Sequence, residues 1–408
     1  MVGPDGHDVA VTPPSIDMTV NDKRLFGKFT TAASGDYTIT CTSFGAAGPL
    51  NGVHDVDVYI GDGISPGSFA MTIVGTIISV FIGAAGLSLL IAGLIWFFMR
   101  SSSNKKARQA QAAIGQAGAV PDTEPLLLDD TETGQQLRLG VWYPRDADGR
   151  TLTAEQVRAA HPEGVPVVVL VHGGGWSNGN RLNPMTRGQA DWLARQGYLA
   201  IAVDYPLSTS ALHTWQLAES RTACGLAWVG AHAAEYGGDA ERLALVGDSA
   251  GGHLALALTY RQALGPLPDY PASCGGQVPG VDAVLTEYPI ADPAGFHDNP
   301  DLVMGPFVAE RAQRYTGGTP AQVPARYEAI DPVALLGQVA DAGLAADLPP
   351  TLIVAGEQDH VVPVAGALAL DARLTEAGAP HETHIVPFTD HVFDLNPGSA
   401  VSQLWRHR

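Results

Sequence analysis

Short apolar runs alternate with longer amphipathic stretches along the C-terminal part of the chain. The apolar runs are Val167–Val171, Leu199–Val203, Leu243–Val246, Ala283–Leu285 and Thr351–Ala355. Runs of this length are typical of strands that are buried on both faces. The stretches between them have helical character, near residues 185–196, 214–236, 250–263 and 364–378. This alternation predicts an α/β domain over residues 136–408, with a mainly parallel sheet and helices on both faces.

A second pattern lies upstream, where residues 70–99 contain no Asp, Glu, Lys or Arg. About 20 apolar residues suffice to cross a bilayer as a helix, so the run predicts one transmembrane helix. A buried core helix is the alternative, but few soluble helices are apolar on all sides over this length.

The charges that flank this apolar run predict its orientation. Residues 50–69 carry no Lys or Arg, whereas residues 100–119 carry Arg100, Lys105, Lys106 and Arg108. Basic flanks tend to remain in the cytoplasm. The expected topology is a single-pass protein of the cell membrane, with its N-terminus outside and residues 136–408 in the cytoplasm.

Two further segments complete the predicted organisation. Residues 1–69 contain β-like runs at 36–42 and 56–60, separated by Gly, Pro and Asp, and predict a small β-rich extracytoplasmic segment. Residues 100–135 are rich in Ser, Gln, Ala and Pro, which is typical of a flexible tether.

Charge and cysteine content narrow the class of function. The formal net charge of -19 would repel phosphate backbones, so we expect no nucleic-acid partner. The three cysteines, Cys41, Cys224 and Cys274, are odd in number and widely spaced, which indicates neither a disulfide framework nor a zinc site. With the predicted topology, Cys41 faces outside, whereas Cys224 and Cys274 stay reduced.

The first motif with chemical content is Gly247-Asp-Ser-Ala-Gly251. It follows the strand that ends at Val246 and precedes a helical stretch. A nucleophile on such a tight strand-to-helix turn needs small neighbours, and the helix N-terminus then stabilises negative charge. The motif predicts Ser249 as a nucleophile. Its chance occurrence in a chain with 47 glycines is the alternative, and the strand–turn–helix context argues against it.

A glycine cluster, His172-Gly-Gly-Gly-Trp176, directly follows another predicted strand. Its backbone N–H groups, with that of Ala250, are suited to an oxyanion hole. The alternatives are a plain flexible loop and a phosphate-binding loop. A phosphate loop would continue with Lys and then Ser or Thr, whereas Trp176 and Ser177 follow here. We interpret His172 as a structural side chain.

A nucleophilic serine also needs a base and an orienting carboxylate. Among 13 histidines, His391 lies in a loop after the strand-like run 382–386. Asp359 follows the run that ends at Ala355 and is the best candidate acid. Glu357 and Asp390 compete with it, although each is typical of a solvated loop charge.

The order Ser249, Asp359, His391 is the chain order of α/β-hydrolases. Residues 137–395 resemble the esterase/lipase branch of that fold, near the hormone-sensitive-lipase-like and feruloyl-esterase-like carboxylesterases. The resemblance rests on the motifs at 172–179, 247–253 and 356–363 with His391, and on the segments 315–320 and 327–332.

The resemblance implies a function and further site residues. It implies hydrolysis of a small-molecule ester by a Ser-His-Asp triad through an acyl-enzyme, with no cofactor and no metal. The oxyanion N–H groups would belong to Gly173, Gly174 and Ala250, and Trp176 would contact the substrate. Amidases, formamidases and serine peptidases share this machinery and remain alternatives, as does a non-catalytic membrane scaffold that retains the fold.

Between two predicted sheet strands, residues 290–345 are expected to form a cap over the acyl pocket. The large side chains expected to line that pocket are Phe296, Met304, Phe307 and Tyr315.

Overall fold

The computed structural model describes residues 120–265, 267 and 274–393, together with four short strands upstream. The chain divides into two compact units, residues 1–103 and 104–408. In the first unit, β1 (Thr19–Val20) pairs with β2 (Lys23–Arg24), and β3 (Tyr37–Cys41) pairs with β4 (His54–Val58), both antiparallel. The β-like runs noted at 36–42 and 56–60 overlap β3 and β4.

The predicted transmembrane helix at 70–99 lies outside the described residues, as does most of the predicted tether. Within the described ranges, no helix combines the length and apolarity that crossing a bilayer requires.

The second unit is built on an eight-stranded sheet in the order β12-β11-β10-β9-β7-β8-β6-β5. Strands β7 to β12 run parallel, whereas β6 is antiparallel to β8 and to β5. The predicted α/β class and mainly parallel sheet are therefore confirmed. The strands are β5 (Leu126–Asp130), β6 (Gln135–Trp142), β7 (Val165–Val171), β8 (Leu199–Val203), β9 (Gly238–Asp248), β10 (Ala283–Glu287), β11 (Thr351–Gly356) and β12 (His381–Val386).

Side chains along β7 show why the apolar run is continuous. Val167, Val169 and Val171 pack into one core cluster, whereas Val168 and Leu170 pack into a second cluster on the opposite face. Because successive strand residues point to opposite faces, a strand covered on both sides must be apolar at every position.

Nine α-helices surround the sheet within the described ranges. They are α1 (Ala154–Ala160), α2 (Pro184–Arg195), α3 (Leu217–His232), α4 (Ala250–Leu264), α5 (Pro293–His297), α6 (Met304–Thr316), α7 (Pro324–Ile330), α8 (Pro332–Asp341) and α9 (Val364–Ala377). The buried apolar residues of α2 belong to the second core cluster, whereas those of α3, α4 and α9 belong to the first. Both faces of the sheet are therefore covered.

Helices α5 to α8 lie between β10 and β11, where the cap was predicted. The cap helices have clear sequence signals at their starts. Asp331 caps α8 by accepting hydrogen bonds from the backbone N–H groups of Val333 and Ala334, and Pro332 follows at the first helical position.

The end of the predicted tether is wrong, because residues 126–130 form β5 at the edge of the sheet. Leu127 is buried in the core, and Asp130 is buried as an ion pair with Arg221, Nε to Oδ2 3.1 Å. The polar composition around this short strand concealed it. Leu127 is buried because α3, which carries Arg221, packs beside the strand.

The expectation for two of the cysteines is also wrong. Cys224 in α3 and Cys274 form a disulfide, and both are buried. They are 50 residues apart in sequence, and only the packing of α3 beside the segment before β10 brings them together. The spacing of the cysteines along the chain does not predict that they are close in space.

Loss of this crosslink should lower stability. Closing a loop of sequence separation 50 removes unfolded-state entropy worth about 4 kcal/mol, and measured losses are often smaller. We expect the double variant Cys224→Ser, Cys274→Ser to have a free energy of unfolding about 2–4 kcal/mol below wild type, measured by urea denaturation. Wild type in excess reductant is the matched control and should resemble the variant. Equal stability of all three samples would contradict a structural crosslink.

Candidate active site

Ser249 lies on the turn between β9 and α4 in a strained backbone conformation. Its φ is 52° and its ψ is −116°, a region that residues with a side chain rarely adopt. The turn is too tight for larger neighbours. A Cβ on Gly251 would collide with the carbonyl oxygen of Val171, and one on Gly247 would collide with the backbone of Gly251. The two glycines of the motif are therefore required by space.

The structure brings the predicted acid and base to this serine. The Ser249 hydroxyl lies 3.2 Å from Nε2 of His391, and Nδ1 of His391 lies 2.7 Å from Oδ2 of Asp359. The other carboxylate oxygen of Asp359 accepts hydrogen bonds from the N–H groups of Val361 and Val362. The Asp359 side chain is only 2% exposed, so its orientation towards the imidazole is held by the protein rather than by water.

The two competing carboxylates are used elsewhere. Glu357 is exposed and accepts a hydrogen bond from the backbone of Phe388. Asp390 accepts from the backbone and ring of His360 and from the backbone N–H of His391, but it does not contact the His391 ring in the structure. Asp359 is therefore the carboxylate that the fold presents to the imidazole.

A cavity of about 370 Å³ opens beside Ser249 and His391. The cap supplies part of its wall through Phe296, Met304 and Phe307, as the sequence predicts. Tyr315, which was expected to join them, is instead fully buried behind the glycine loop.

The backbone of the glycine loop differs from the prediction at one residue. The N–H of Gly173 donates to Oδ1 of Asp248 at 2.9 Å, so it is already engaged. Within the described part of the chain, the N–H groups of Gly174 and Ala250 have no acceptor. Of the three predicted oxyanion donors, these two are available. Asp248 reaches the loop because β7 and β9 are neighbours in the sheet, with Val171 opposite Gly247.

The BD-FAE family model matches residues 156–374, more than half of the chain. The chain belongs to the BD-FAE family. The resemblance to α/β-hydrolases of the esterase/lipase branch is thereby confirmed, and its motifs at 172–179, 247–253 and 356–363 lie within the matched region.

The BD-FAE chain is also similar to individual proteins. It is 30% identical over 271 residues to the probable carboxylic ester hydrolase LipM of Mycobacterium tuberculosis, covering 65% of this chain and 55% of LipM. It is 30% identical over 240 residues to esterase LipQ of the same organism, covering 56% of this chain and 51% of LipQ. The chain thus spans about half the length of the curated relatives it matches.

Among solved structures, esterase B from Lactobacillus rhamnosis superimposes with a TM-score of 0.53 at 22% identity. The match covers 76% of this chain and 93% of that one. At this identity the likeness shows a shared fold alone, the α/β-hydrolase fold.

Trp176, predicted to contact substrate, supports the glycine loop of the BD-FAE domain from behind instead. Its side chain is fully buried and does not line the cavity. The indole stacks on Tyr315 with ring centroids 4.3 Å apart, and its N–H donates to Nδ1 of His253 at 3.2 Å. A large aromatic ring flanked by these partners has no access to the cavity, which is the reason the prediction is wrong.

His172 is a structural side chain, as expected. Its Nδ1–H donates to the carbonyl of Gly173 at 2.8 Å, and its ring stacks on Tyr205 at 4.3 Å. The Tyr205 hydroxyl in turn donates to the carbonyl of His172. Burial lowers the pKa of His172, so the ring stays neutral.

Sequence reasoning missed several residues that shape this BD-FAE site. Asp248 was inside the quoted motif, but its bond to Gly173 needed the strand order. Tyr288 packs its ring against the imidazole of His391, with centroids 4.4 Å apart, and no motif marks it. Arg311 and Asn178 both line the cavity, and neither belongs to a recognisable triad signal.

His253 is a titratable side chain among the residues that support the glycine loop. It is buried, accepts the Trp176 N–H at Nδ1, and donates from Nε2 to the carbonyl of Ile330 at 2.7 Å. Burial lowers the pKa of His253 to about 4. The pKa of His253 in the folded state lies below the ordinary value of 6.5. The contribution of the neutral imidazole to the free energy of unfolding is therefore complete above pH 6.5. It is lost progressively as pH falls towards 4.

Replacing His253 should therefore reduce the acid sensitivity of folding. Between pH 7 and pH 4, His253→Gln should lose roughly 3 kcal/mol less free energy of unfolding than wild type, although it is less stable at neutral pH. Urea titrations at several pH values measure this difference. His161→Gln, at an exposed position, is the control and should follow wild type. Parallel pH curves for His253→Gln and wild type would assign the acid loss to other groups.

Proposed function

We propose that this chain hydrolyses carboxylic esters, with Ser249 as nucleophile, His391 as general base and Asp359 as the orienting acid. The observation that carries the proposal is the hydrogen-bond chain from Ser249 through His391 to the buried Asp359, at the wall of a cavity of about 370 Å³. A serine hydroxyl is a weak nucleophile by itself and needs such a base.

The proposed reaction has two halves. His391 takes the proton from Ser249 as its oxygen attacks the ester carbonyl, while Asp359 stabilises the imidazolium. Negative charge forms on the carbonyl oxygen, and the free N–H groups of Gly174 and Ala250 are the proposed donors to it. Ala250 begins α4, so the helix dipole adds to this stabilisation.

Collapse of this intermediate breaks the ester bond and leaves the acyl group on Ser249. His391 gives its proton to the departing alcohol. A water molecule, activated by the same imidazole, then attacks the acyl-enzyme and releases the acid. The names of the relatives favour ester over amide substrates, because LipM is called a probable carboxylic ester hydrolase and LipQ an esterase.

Ser249→Ala tests the nucleophile. We expect it to lower hydrolysis of p-nitrophenyl esters on the order of 10³-fold or more, and to abolish labelling by a fluorophosphonate probe, with an unchanged melting temperature. Ser210→Ala, at an exposed serine, is the matched control and should keep both activity and labelling. A well-folded Ser249→Ala protein with wild-type activity would remove Ser249 from the mechanism.

The same assay separates the candidate acids. Asp359→Asn should lower kcat nearly as much as His391→Ala, because the triad acts as a unit and the amide disfavours the required tautomer. Glu357→Gln should remain near wild type. The reverse order of these two carboxylate variants would assign the acid to Glu357.

We also propose that residues 70–99 anchor the protein in a membrane, on the support of their uncharged composition. Two observations bear on the orientation. The basic residues at 100–119 favour a cytoplasmic hydrolase domain. The Cys224–Cys274 disulfide argues against it, because disulfides persist in oxidising compartments and are rare in the cytosol. The orientation stays a prediction from the flanks.

Protease added to intact cells tests this orientation. The flanking charges predict that the hydrolase domain survives until the cells are opened. Digestion of the domain on intact cells, with the N-terminal segment protected, would reverse the orientation.

A further inference from the structure

The cavity beside Ser249 contains a cation that the proposed mechanism does not use. Arg311, on α6 of the cap, is the only Lys or Arg among the described residues that line this cavity. The one carboxylate in the same lining, Asp248, accepts the N–H of Gly173 and is almost fully buried.

Arg311 has only a neutral partner for its guanidinium. With the Asn178 amide oriented so that its oxygen faces α6, that oxygen accepts from Nη1 and Nη2 of Arg311 at 2.5 and 2.9 Å. The Nε of Arg311 is buried without a hydrogen-bond partner. No carboxylate of the described residues lies within ion-pairing distance of it. On the same helix, by contrast, Arg314 pairs with Glu310.

The side chain of Arg311 is nonetheless held in place. Its guanidinium carbon lies 4.7 Å from the centroid of the Phe307 ring. Its aliphatic stem packs against Gly175 of the glycine loop, where an added Cβ would lie 3.4 Å from Cγ. The charge is thus positioned beside the loop that is proposed to bind the developing oxyanion.

A partly buried guanidinium without an anionic partner keeps an unbalanced charge in the cavity wall. A carboxylate is the ligand group that matches its planar fork. We infer that the cavity accepts esters that carry a carboxylate in their acyl or alcohol part, and that Arg311 recognises this group. The inference rests on the proposed ester hydrolysis and names its substrate class.

A structural role of Arg311 makes a different prediction. If Arg311 only braces the glycine loop through Asn178 and Gly175, its loss would slow hydrolysis of all esters by the same factor. If it binds a substrate carboxylate, its loss would affect only the charged esters. The ratio of kcat/KM for charged and neutral esters of equal shape separates the two roles.

Two pairs of substrates provide this ratio. For the acyl part, the pair is the 4-nitrophenyl half-ester of adipic acid and the same ester with its free carboxylate converted to a primary amide. For the alcohol part, the pair is 4-acetoxybutanoate and 4-acetoxybutanamide. We expect wild type to prefer the anionic member of at least one pair by roughly 10- to 100-fold in kcat/KM, the range of a charge-assisted hydrogen bond. The preference should fall as ionic strength rises.

Three variants then assign the preference. Arg311→Gln should bring the ratio close to one, because kcat/KM for the anionic ester should fall far more than kcat/KM for its neutral partner. Arg311→Lys keeps the charge and an aliphatic stem, so it should retain part of the preference even if the fork geometry is lost. Arg314→Gln removes a cation of the same helix that is already paired, and it should leave the ratio unchanged.

Each outcome has a defined meaning. A wild-type ratio near one for both pairs would overturn the inference, as would an equal loss of activity on both members of a pair in Arg311→Gln. A preference that survives in Arg311→Gln would also overturn it. Absence of hydrolysis of all four esters and of all p-nitrophenyl esters, without fluorophosphonate labelling, would instead refute the proposed function.

Discussion

The close pairing of β7 with β9 is the constraint on which the site depends. These two parallel strands end side by side, with Val171 opposite Gly247, so the glycine loop and the serine turn leave the sheet at neighbouring points. Gly251 meets the carbonyl of Val171 so closely that no side chain fits between them. The hydrogen bond that the Gly173 N–H donates to Asp248 then joins the two turns. The available backbone donors and the serine therefore share one rigid frame.

A second layer of contacts connects this frame to the cap. Trp176 stacks on Tyr315 of the cap and donates to His253 of α4, and His253 donates to the carbonyl of Ile330. Every polar atom in this chain of contacts finds a partner away from water, which is what burial of an indole and an imidazole requires. The cap is thereby attached behind the glycine loop while its other side borders the cavity.

Much of the domain follows from local patterns. The apolar runs located the central strands because a strand covered on both faces has no polar positions, and Ser249, Asp359 and His391 each followed a predicted strand. Strand β5 was missed because it is a short edge strand in which Leu127 is the only buried apolar residue, so it has no continuous buried run. The Cys224–Cys274 pair, the engaged N–H of Gly173 and the buried position of Trp176 all depend on packing between segments distant in sequence. Residue type and spacing do not record such packing.

The cap has a consequence for the divergence of proteins with this fold. Its four helices are inserted between β10 and β11, and they provide cavity residues such as Phe307 and Arg311 without contributing to the hydrogen-bond chain of Ser249. Mutations at these positions can alter which molecules enter without disturbing the reacting groups. Gene duplication followed by divergence of this one insertion would thus produce paralogues that bind different small molecules with the same reacting groups.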